Sequence, residues 1–532
     1  MRAEAFAIGG LSTMSSPDEV RTHEQDVKIL HSMGYAQELS RRMHAFSNFA
    51  ISFSIICILS GGINSLGQAT AGAGGAAIGI GWPVGVLISG VFAMALAQIS
   101  SAYPTAGGLY HWGSILGNRF TGWLSAWLNL LGLITVLGAI NVGTFYFFFG
   151  AFGPMFGIED TLTHRVLFVA AITALQALVN HFGIGLTMKL TDFSGYIILL
   201  GSVALAAVCM FYAEAWDFSR LFTFSNYTGT EGASAVWPVA VSGTMALILG
   251  LLLPIYTITG YDASAHTAEE TVNAQMSVPR GMVSSVLWSG VFGYLFLCAF
   301  VLMIPNMDDA AKQGWNVFFW AMGERVPETI RTALYVTIFI SQWLCGLATV
   351  TSVSRMLFAF SRDDGIPGIS KALAKVDAKH RAPVNAIWAG STLAVLFVWF
   401  TSAITIAGAP AYSIVVSCTV IFLFLSFAVP IALALFTYGT SKFPAPGPWN
   451  LGGGLFRLVC VLSLVAMAII FYAGIQPPND WALPITVGFI VLSLVIWLLF
   501  ENRRFKGPPI GEEIKRRQAD IKAAEAALGG AG

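Results

Sequence analysis

The sequence predicts an all-α integral membrane protein with twelve transmembrane helices, and three observations lead to this fold class. Of the 532 residues, 56% are hydrophobic and only 11% are charged, whereas a soluble domain is about 25% charged. The apolar residues form long runs, and a helix that crosses a bilayer needs roughly 20 of them. The few charged residues are gathered between these runs. The composition therefore argues against a soluble enzyme, a disordered scaffold and a nucleic-acid-binding protein.

The chain starts with a polar arm, residues 1–45, in which positions 20–43 mix apolar and charged residues at helical spacing. This pattern predicts an amphipathic helix on the inner membrane surface. The predicted spans follow at 46–70, 78–102, 121–152, 165–186, 192–213, 238–262, 281–304, 331–358, 384–403, 409–437, 454–474 and 481–500. Residues 501–532 form a polar tail with a predicted helix. The six cysteines lie inside apolar runs and lack metal-ligand spacing, so we expect no cofactor.

The distribution of Lys and Arg predicts the orientation, because cytoplasmic loops carry an excess of these residues. An even number of spans puts both termini on one side of the membrane. The other side keeps only five of the 28 Lys and Arg residues, namely Arg165, Arg220, Lys312, Arg325 and Arg331. We therefore expect a multi-pass protein of the cell membrane with both termini in the cytoplasm.

Two predicted spans carry helix-breaking residues near mid-membrane. They are Ser60, Gly61 and Gly62 in span 1, and Pro254, Thr257, Thr259 and Gly260 in span 6. Interrupted segments at corresponding positions of two halves indicate an inverted-repeat transporter with a site at the membrane midplane. Freed amides near Gly61 would suit a carboxylate, and freed carbonyls near Ile258 would suit an ammonium group, which together predict a site for a zwitterion. The alternative is that the glycines only allow close helix packing.

Three stretches of the chain match a known family. They are SSAYPTAGGLYHW (100–112), GYDASAHTAEET (260–271) and SRMLFAFSRDDGIP (354–367). These stretches resemble signatures of the amino acid/polyamine/organocation permease superfamily, and within it the amino acid/choline transporter branch, which includes four-aminobutyrate and choline permeases. The resemblance covers roughly residues 26–500. It implies a five-plus-five inverted repeat (46–213 and 238–437), two additional helices (454–500) and transport by alternating access.

The resemblance also implies roles for individual residues of the two breaks. Ser60 and Gly61, followed by Gly62, match the residues whose amides hold the substrate carboxylate in the family, although Leu59 departs from the family's Gly-Ser-Gly pattern. Tyr256 matches an aromatic gate. The stretch of Thr257, Ile258 and Gly260 matches the region that faces the substrate amine. Asn141 in span 3 is a candidate wall residue of the site, or alternatively a bridge between helices.

An ionisable side chain inside the membrane marks a functional site by default. Asp262 directly follows the break of span 6, so we expect it to act as a gate or as a proton-sensitive group; the alternative is a structural carboxylate. Thr351, Ser352 and Ser354 of span 8 offer hydroxyl oxygens that suit sodium, but such hydroxyls also bond to carbonyls of their own helix. The coupling ion is thus expected to be H+ or Na+.

Charged residues also gather at the ends of spans 6 and 8. Glu269 and Glu270 lie beyond span 6, with Arg280 at the end of that loop, and Arg355, Arg362, Asp363 and Asp364 end span 8. We expect them to form cytoplasmic ion pairs that close the inner side. His181 and His266 adjoin span ends, where packing is the expected role and a proton relay is the alternative.

These patterns predict a secondary active transporter, and no motif of an enzyme is present in the sequence. The expected substrate is an amino acid or a small amine such as four-aminobutyrate. A choline or polyamine carrier is the alternative, and an amino-acid-sensing receptor without net transport is the alternative from another class. The expected partners are the substrate and the lipid bilayer, with no nucleic acid and no obligate protein partner.

Overall fold

The computed structural model describes residues 17–157, 159–403, 411–477, 479–509 and 512–529, with the backbone alone at Glu19 and at 411–417. Within these ranges the chain is helical, and β structure is limited to isolated bridges such as that between Met43 and Thr271. The all-α prediction is therefore confirmed. Residues 1–16 of the predicted arm, 404–410 around the predicted start of span 10, and 510–511 and 530–532 of the predicted tail lie outside the described residues.

Eleven described helices are long and apolar enough to cross a membrane, and a shorter apolar helix, Gly243–Thr257, lies between the fifth and sixth of them. In chain order these twelve helices correspond to the twelve predicted spans. Their bounds are Ala45–Asn64, Ala76–Ala102, Arg119–Phe156, Leu162–His181, Ile184–Tyr212, Gly243–Thr257, Ala274–Met303, Glu328–Arg362, Val384–Ala403, Ala411–Thr437, Gly453–Gly474 and Ala482–Arg504.

Burial separates central spans from peripheral ones. In the most apolar stretch of spans 1 and 3, 89% of the residues are buried, whereas the figure for span 12 is 17%. Side chains that face lipid need only be apolar, so span 12 exposes large residues such as Leu498 and Phe500. Spans 1 and 3 instead lie against other helices on nearly all sides, and a site built on them is enclosed by protein.

The arm differs from the predicted surface helix over 20–43. The helix spans Pro17–Ser32 and ends before Gly34, whose φ of +85° is a backbone conformation that favours glycine. The following residues are irregular and lead into the molecule, where Leu39 and Met43 are fully buried. These residues therefore belong to the protein interior and do not lie on a membrane surface.

The arm and the tail meet at one end of the molecule. His31 Nε2 lies 2.7 Å from Glu525 Oε1, and the amide of Gln37 donates to the same oxygen at 2.9 Å. The carboxylate of Glu525 belongs to the tail helix Gln518–Ala527. We call this end the terminal face and the other end the opposite face. An even number of spans and this contact agree in placing both termini on one side.

Candidate functional site

Span 1 is broken at Cys57. The helix Ala45–Ile56 ends there and the helix Ile58–Asn64 begins directly after it, with Cys57 itself at φ 29° and ψ 79°. A positive φ is unfavourable for a residue other than glycine and persists only where the surroundings impose it. The break was predicted at Ser60–Gly62, and the structure corrects this position, because all three residues lie inside the second helix.

Close packing explains the glycines of span 1. A Cβ on Gly61 would lie 2.8 Å from Thr257 Cα of span 6, and one on Gly62 would lie 3.0 Å from the Phe296 ring. The amides of Ser60 and Gly61 both donate to the Cys57 carbonyl, at 2.7 and 3.1 Å. These contacts favour the packing alternative for the two glycines. Among the described residues, no acceptor is found for the amides of the first two residues of this helix, Ile58 and Leu59.

Span 6 is broken where the sequence predicts. Its apolar helix ends at Thr257, and a short helix, Ala263–His266, follows the break. Gly260 has a φ of +106°, and a Cβ there would lie 2.3 Å from Ile55 Cγ2 of span 1, so only glycine fits. No hydrogen bond within the described part of the chain reaches the backbone carbonyls of Thr257, Ile258 and Thr259. Such groups are tolerated inside a membrane protein where a cavity, ion or ligand satisfies them.

The two breaks face each other, because Gly61 contacts Thr257 and Gly260 contacts Ile55. Beyond them lies a cavity of about 320 Å³. It is lined by Ile63, Asn64, Gly143, Tyr146, Phe147, Phe149, Gly150, Trp315, Asn316, Phe318 and Phe319. Span 1 starts at the terminal face, so its last residues, Ile63 and Asn64, place this cavity toward the opposite face.

Two polar side chains near the breaks have defined partners. The amide of Asn141 donates to Thr173 Oγ1 and Gln176 Oε1 of span 4, at 2.8 and 2.9 Å, which favours the helix-bridging alternative for this residue. Gln342 of span 8 donates to the Leu59 carbonyl at 3.3 Å, next to the break of span 1. The sequence analysis missed Gln342, and its signal was a lone glutamine in the middle of an apolar span.

The hydroxyls of span 8 are partly engaged. Thr351 Oγ1 donates to Asn180 Oδ1 of span 4 at 2.8 Å, and Ser354 Oγ donates to the Thr351 carbonyl, also at 2.8 Å. Ser352 Oγ is buried without a hydrogen-bond partner among the described residues. A hydroxyl that donates its proton keeps lone pairs for a cation, so these contacts leave both H+ and Na+ open as coupling ions.

Asp262 lies in a buried polar cluster between spans 3, 6 and 10. Its Oδ2 accepts from Asn129 Nδ2 at 3.3 Å and lies 3.3 Å from His266 Nε2. Asn129 also reaches Ser426 Oγ at 3.3 Å. Asp262 Oδ1 is buried and has no partner among the described residues. This carboxyl group therefore meets one neutral donor and one histidine.

Toward the terminal face the site is closed by two buried ion pairs, which we call the seal. Arg355 binds both oxygens of Glu270 at 2.8 and 2.9 Å, and Arg362 binds both oxygens of Glu269 at 2.7 and 3.0 Å. Burial would raise the pKa of Glu269, but the charge and hydrogen bonds of Arg362 and the amide of Ala106 outweigh burial and lower it. The predicted partner Arg280 is exposed.

A second cluster surrounds Asp363 and joins the arm to the tail. Tyr35 and Tyr110 donate to Asp363 Oδ2 at 2.5 and 3.0 Å, and Arg517 of the tail lies 3.4 Å from Oδ1. Burial would raise the pKa of Asp363, but hydrogen bonding and charge from His111, the hydrogen bond from Tyr35 and the charge of Arg362 lower it. Arm, tail and span 8 thus share one buried carboxylate.

Facing helix breaks inside a multi-span bundle define a class of protein, the membrane transporters, in which backbone groups at the breaks form the site. The family model described as "Amino acid permease" matches residues 44–500 of the chain. The protein belongs to the amino acid permease family, and it is therefore a transporter and not an enzyme.

Similar proteins extend over nearly the whole chain. The amino-acid permease BAT1 of Arabidopsis thaliana is 29% identical over 90% of this chain and 95% of its own length. Its homolog from Oryza sativa subsp. japonica is 30% identical over 90% of this chain and 94% of its own length. The amino-acid permease 2 of Neurospora crassa is 25% identical over 96% of this chain and 93% of its own length.

A solved structure shows the same fold. The crystal structure of MhsT in complex with L-phenylalanine superposes with a TM-score of 0.53 at 12% identity, covering 82% of this chain and 98% of that one. The similarity confirms the five-plus-five inverted-repeat fold with two additional helices. At this identity it establishes the fold and carries no residue-level role.

Proposed function

We propose that this protein is a secondary active transporter that moves an amino acid, or a small amine such as four-aminobutyrate, across the cell membrane by alternating access. One observation carries the proposal: the backbone carbonyls of Thr257, Ile258 and Thr259 lack donors within the described residues, and they belong to a break whose residues Thr257 and Gly260 contact span 1. Carbonyls at the end of a half-helix attract an ammonium group, and amides at the start of another attract a carboxylate. The ammonium and carboxylate groups of a zwitterionic substrate then both have partners at the breaks.

The substrate-contacting residues proposed from the sequence occupy this region in different ways. Thr257, Ile258 and Gly260 lie at the break itself, and Tyr256 is buried in the turn before it. Ser60, Gly61 and Gly62 are buried in the second helix of span 1, where Gly61 packs against Thr257 of span 6 and Gly62 against Phe296 of span 7. In this proposal the carboxylate is held at the start of the second helix of span 1, by the amides of Ile58 and Leu59.

We further propose that both termini are cytoplasmic, as the Lys and Arg distribution indicates. The terminal face, closed by the seal, is then the inner side, and the cavity beyond the breaks faces outward. The structure accordingly represents an inward-closed arrangement, which a substrate enters from outside. Alternating access requires the seal to break in each cycle, so its energy matters as a difference between two states.

The direct test is uptake by the purified protein in proteoliposomes. Labelled amino acids, four-aminobutyrate, choline and polyamines are compared, after a thermal-shift screen has identified those that bind, because a bound ligand stabilises the folded state. Accumulation of an amino acid or four-aminobutyrate supports the proposal. Specific binding without any flux would instead identify the amino-acid-sensing receptor.

The cavity favours choline as a second candidate substrate. Its lining includes the aromatic residues Tyr146, Phe147, Phe149, Trp315, Phe318 and Phe319 and, among the described residues, no charged side chain. Aromatic faces attract quaternary ammonium groups through cation–π interactions. Competition between choline and an amino acid in the same proteoliposomes separates the two candidates. A choline carrier takes up choline in the presence of the amino acid, whereas an amino acid carrier takes up the amino acid in the presence of choline.

A further inference from the structure

Asp262 is a buried acid whose ionised form the surrounding protein does not neutralise with a fixed cation. The residue is 1% exposed, and its Oδ1 lacks a partner among the described residues. Its Oδ2 is approached by the neutral Asn129 amide and by His266 Nε2, both at 3.3 Å. A buried charge without a paired cation is costly, and neutralisation by a proton removes that cost.

Nδ1, the other ring nitrogen of His266, determines how many protons Asp262 and His266 hold together. His266 Nδ1 lies 3.2 Å from the Ala106 carbonyl oxygen. A carbonyl only accepts hydrogen bonds, so Nδ1 must carry a hydrogen. A neutral His266 then has its lone pair on Nε2, facing the Asp262 oxygen. Two lone pairs at 3.3 Å repel, so one further proton must lie between Nε2 and Oδ2, on the histidine or on the carboxyl group.

The groups named below surround Asp262 and His266 and are either neutral or already paired, so the proton belongs to Asp262 and His266. Span 3 contributes Asn129 and span 10 contributes Ser426, both neutral, and span 6 adds the buried Tyr261 hydroxyl. The guanidinium groups of Arg355 and Arg362 are bound by Glu270 and Glu269. In the short helix Leu109–Leu116 before span 3, His111 bonds through Nδ1 to Thr105 and through Nε2 to Tyr35, so it is directed away from Asp262.

We propose that Asp262 and His266 form a proton-binding site, occupied by one shared proton while the terminal face is closed, and that its discharge drives transport. The inference rests on the proposed transport function and specifies its coupling ion. Asp262 and His266 act here as one unit that is neutral overall. The histidine, which the sequence analysis expected to be a packing residue, becomes half of the site.

The seal connects this site to the conformational change. The Ala106 amide donates to Glu269 Oε1 at 3.1 Å, while the Ala106 carbonyl holds His266 Nδ1. Glu269 is in turn held by Arg362. When the Glu269–Arg362 pair breaks, the turn that carries Ala106 loses an anchor, and His266 loses the acceptor that fixes its protonation. The shared proton can then leave toward the terminal face, so opening and release occur together.

The test measures the steady-state ratio of substrate inside to outside in proteoliposomes that are more acidic outside by one pH unit. With one proton per neutral substrate and no membrane potential, the wild type should accumulate substrate about tenfold. Asp262→Asn and His266→Gln should each reach a ratio of about one, because they equilibrate substrate without coupling. His181→Gln is the matched control, since that ring bonds to Trp388 at the edge of the bundle, and it should keep the wild-type ratio.

A pH-sensitive dye inside the vesicles gives a second readout that needs no variant. Substrate-dependent acidification by the wild type supports the proposal, and its absence overturns it even if both variants fail to fold. Tenfold accumulation by either variant also overturns it. Uptake that responds to a sodium gradient and not to the pH gradient rejects the proton site but leaves the transporter function intact. No uptake or exchange of any tested substrate by the wild type would reject the transporter function itself.

Discussion

Arg355 and Glu270 place a complete ion pair inside the helical bundle, with both side chains fully buried. The desolvation cost of such a pair can match its attraction, so it does not by itself make the protein stable. Losing one partner is different, because the remaining charge is then buried alone. The seal is thus strongly dependent on both partners, which suits a contact that must form completely or break completely.

Arg355→Met should therefore destabilise the protein by about 3–5 kcal/mol, since it leaves the Glu270 carboxylate buried without a partner. The double variant Arg355→Met/Glu270→Gln should recover most of this loss. Thermal unfolding in detergent measures both. Lys312→Met is the control, because its pair with Asp309 is exposed, and no measurable change is expected there. A single variant as stable as the wild type would contradict the structure of the seal.

Glu269 makes the seal sensitive to acid in a defined direction. Its pKa lies below its ordinary value of 4.5 because Arg362 and the Ala106 amide outweigh burial. A lowered pKa in the folded state stabilises the protein above the unfolded value, and this contribution is lost as the pH falls through the folded value. The contribution of Glu269 to the unfolding temperature should therefore stay constant between pH 7 and about pH 5, and should decline as the pH falls below 4.5.

The Glu269→Gln variant tests this dependence. The variant should unfold at a lower temperature than the wild type at neutral pH, and the difference should narrow in acid, as the wild type loses its ionised carboxylate. Glu231→Gln serves as the control, because Glu231 is exposed. A difference that stays constant from neutral to acidic pH would show that Glu269 acts through packing and not through its charge.

At the scale of helices, the sequence predicted the spans and one of the two breaks. Apolar runs are a local property, so the twelve spans could be read directly. The break of span 6 was also placed correctly, because the local backbone requires a glycine at position 260, where φ is +106°. The break of span 1 was misplaced, since Gly61 serves a contact with Thr257 almost 200 residues away, and sequence position does not reveal such partners.

Sequence position does not reveal the contact partners of polar side chains either. Asn141 looked like a wall of the site, but its partners Thr173 and Gln176 lie on span 4, which only the packing of spans 3 and 4 reveals. Glu269 and Glu270 were predicted to form cytoplasmic ion pairs, but their position in the sequence did not show that the arm would bury them. Arg41 of the arm donates to the adjacent Ala268 and Thr271 carbonyls. Tertiary contacts of the arm thus turned surface charges into buried ones.

Gly260→Ala tests whether the break of span 6 requires its backbone conformation and its close contact with span 1. The substitution imposes a strained backbone conformation, which costs on the order of 1–3 kcal/mol, and places a methyl group 2.3 Å from Ile55. We expect a lower unfolding temperature and loss of most uptake, because spans 1 and 6 must separate locally. Gly454→Ala is the control: no atom lies within 4 Å of its added Cβ. Wild-type uptake by Gly260→Ala would show that the contact is not required.

On the scale of the whole molecule, closure of the terminal face is shared by parts far apart in the chain. Tyr35 of the arm, His111 of the short helix before span 3 and Arg517 of the tail converge on Asp363. Glu525 of the tail binds both His31 and the amide of Gln37. Arm and tail therefore brace the terminal face, the side that opens in the proposed transport cycle, while the cavity lies toward the opposite face.

The orientation of this asymmetric molecule can be tested with single introduced cysteines. Asn316 lines the cavity at the opposite face, and Gln25 lies exposed on the arm helix. Because Lys and Arg favour the cytoplasmic side, a membrane-impermeant maleimide added to intact cells should label Asn316→Cys but not Gln25→Cys. Permeabilised cells should show labelling of both.

The unmodified chain is the control for this experiment, since five of its cysteines are buried and Cys298 is half-buried, so little labelling is expected. Labelling of Gln25→Cys but not Asn316→Cys in intact cells would place the termini outside. The closed seal would then lie on the outer side, and the structure would represent an outward-closed arrangement. The labelling pattern therefore decides from which side a substrate reaches the cavity before the seal opens.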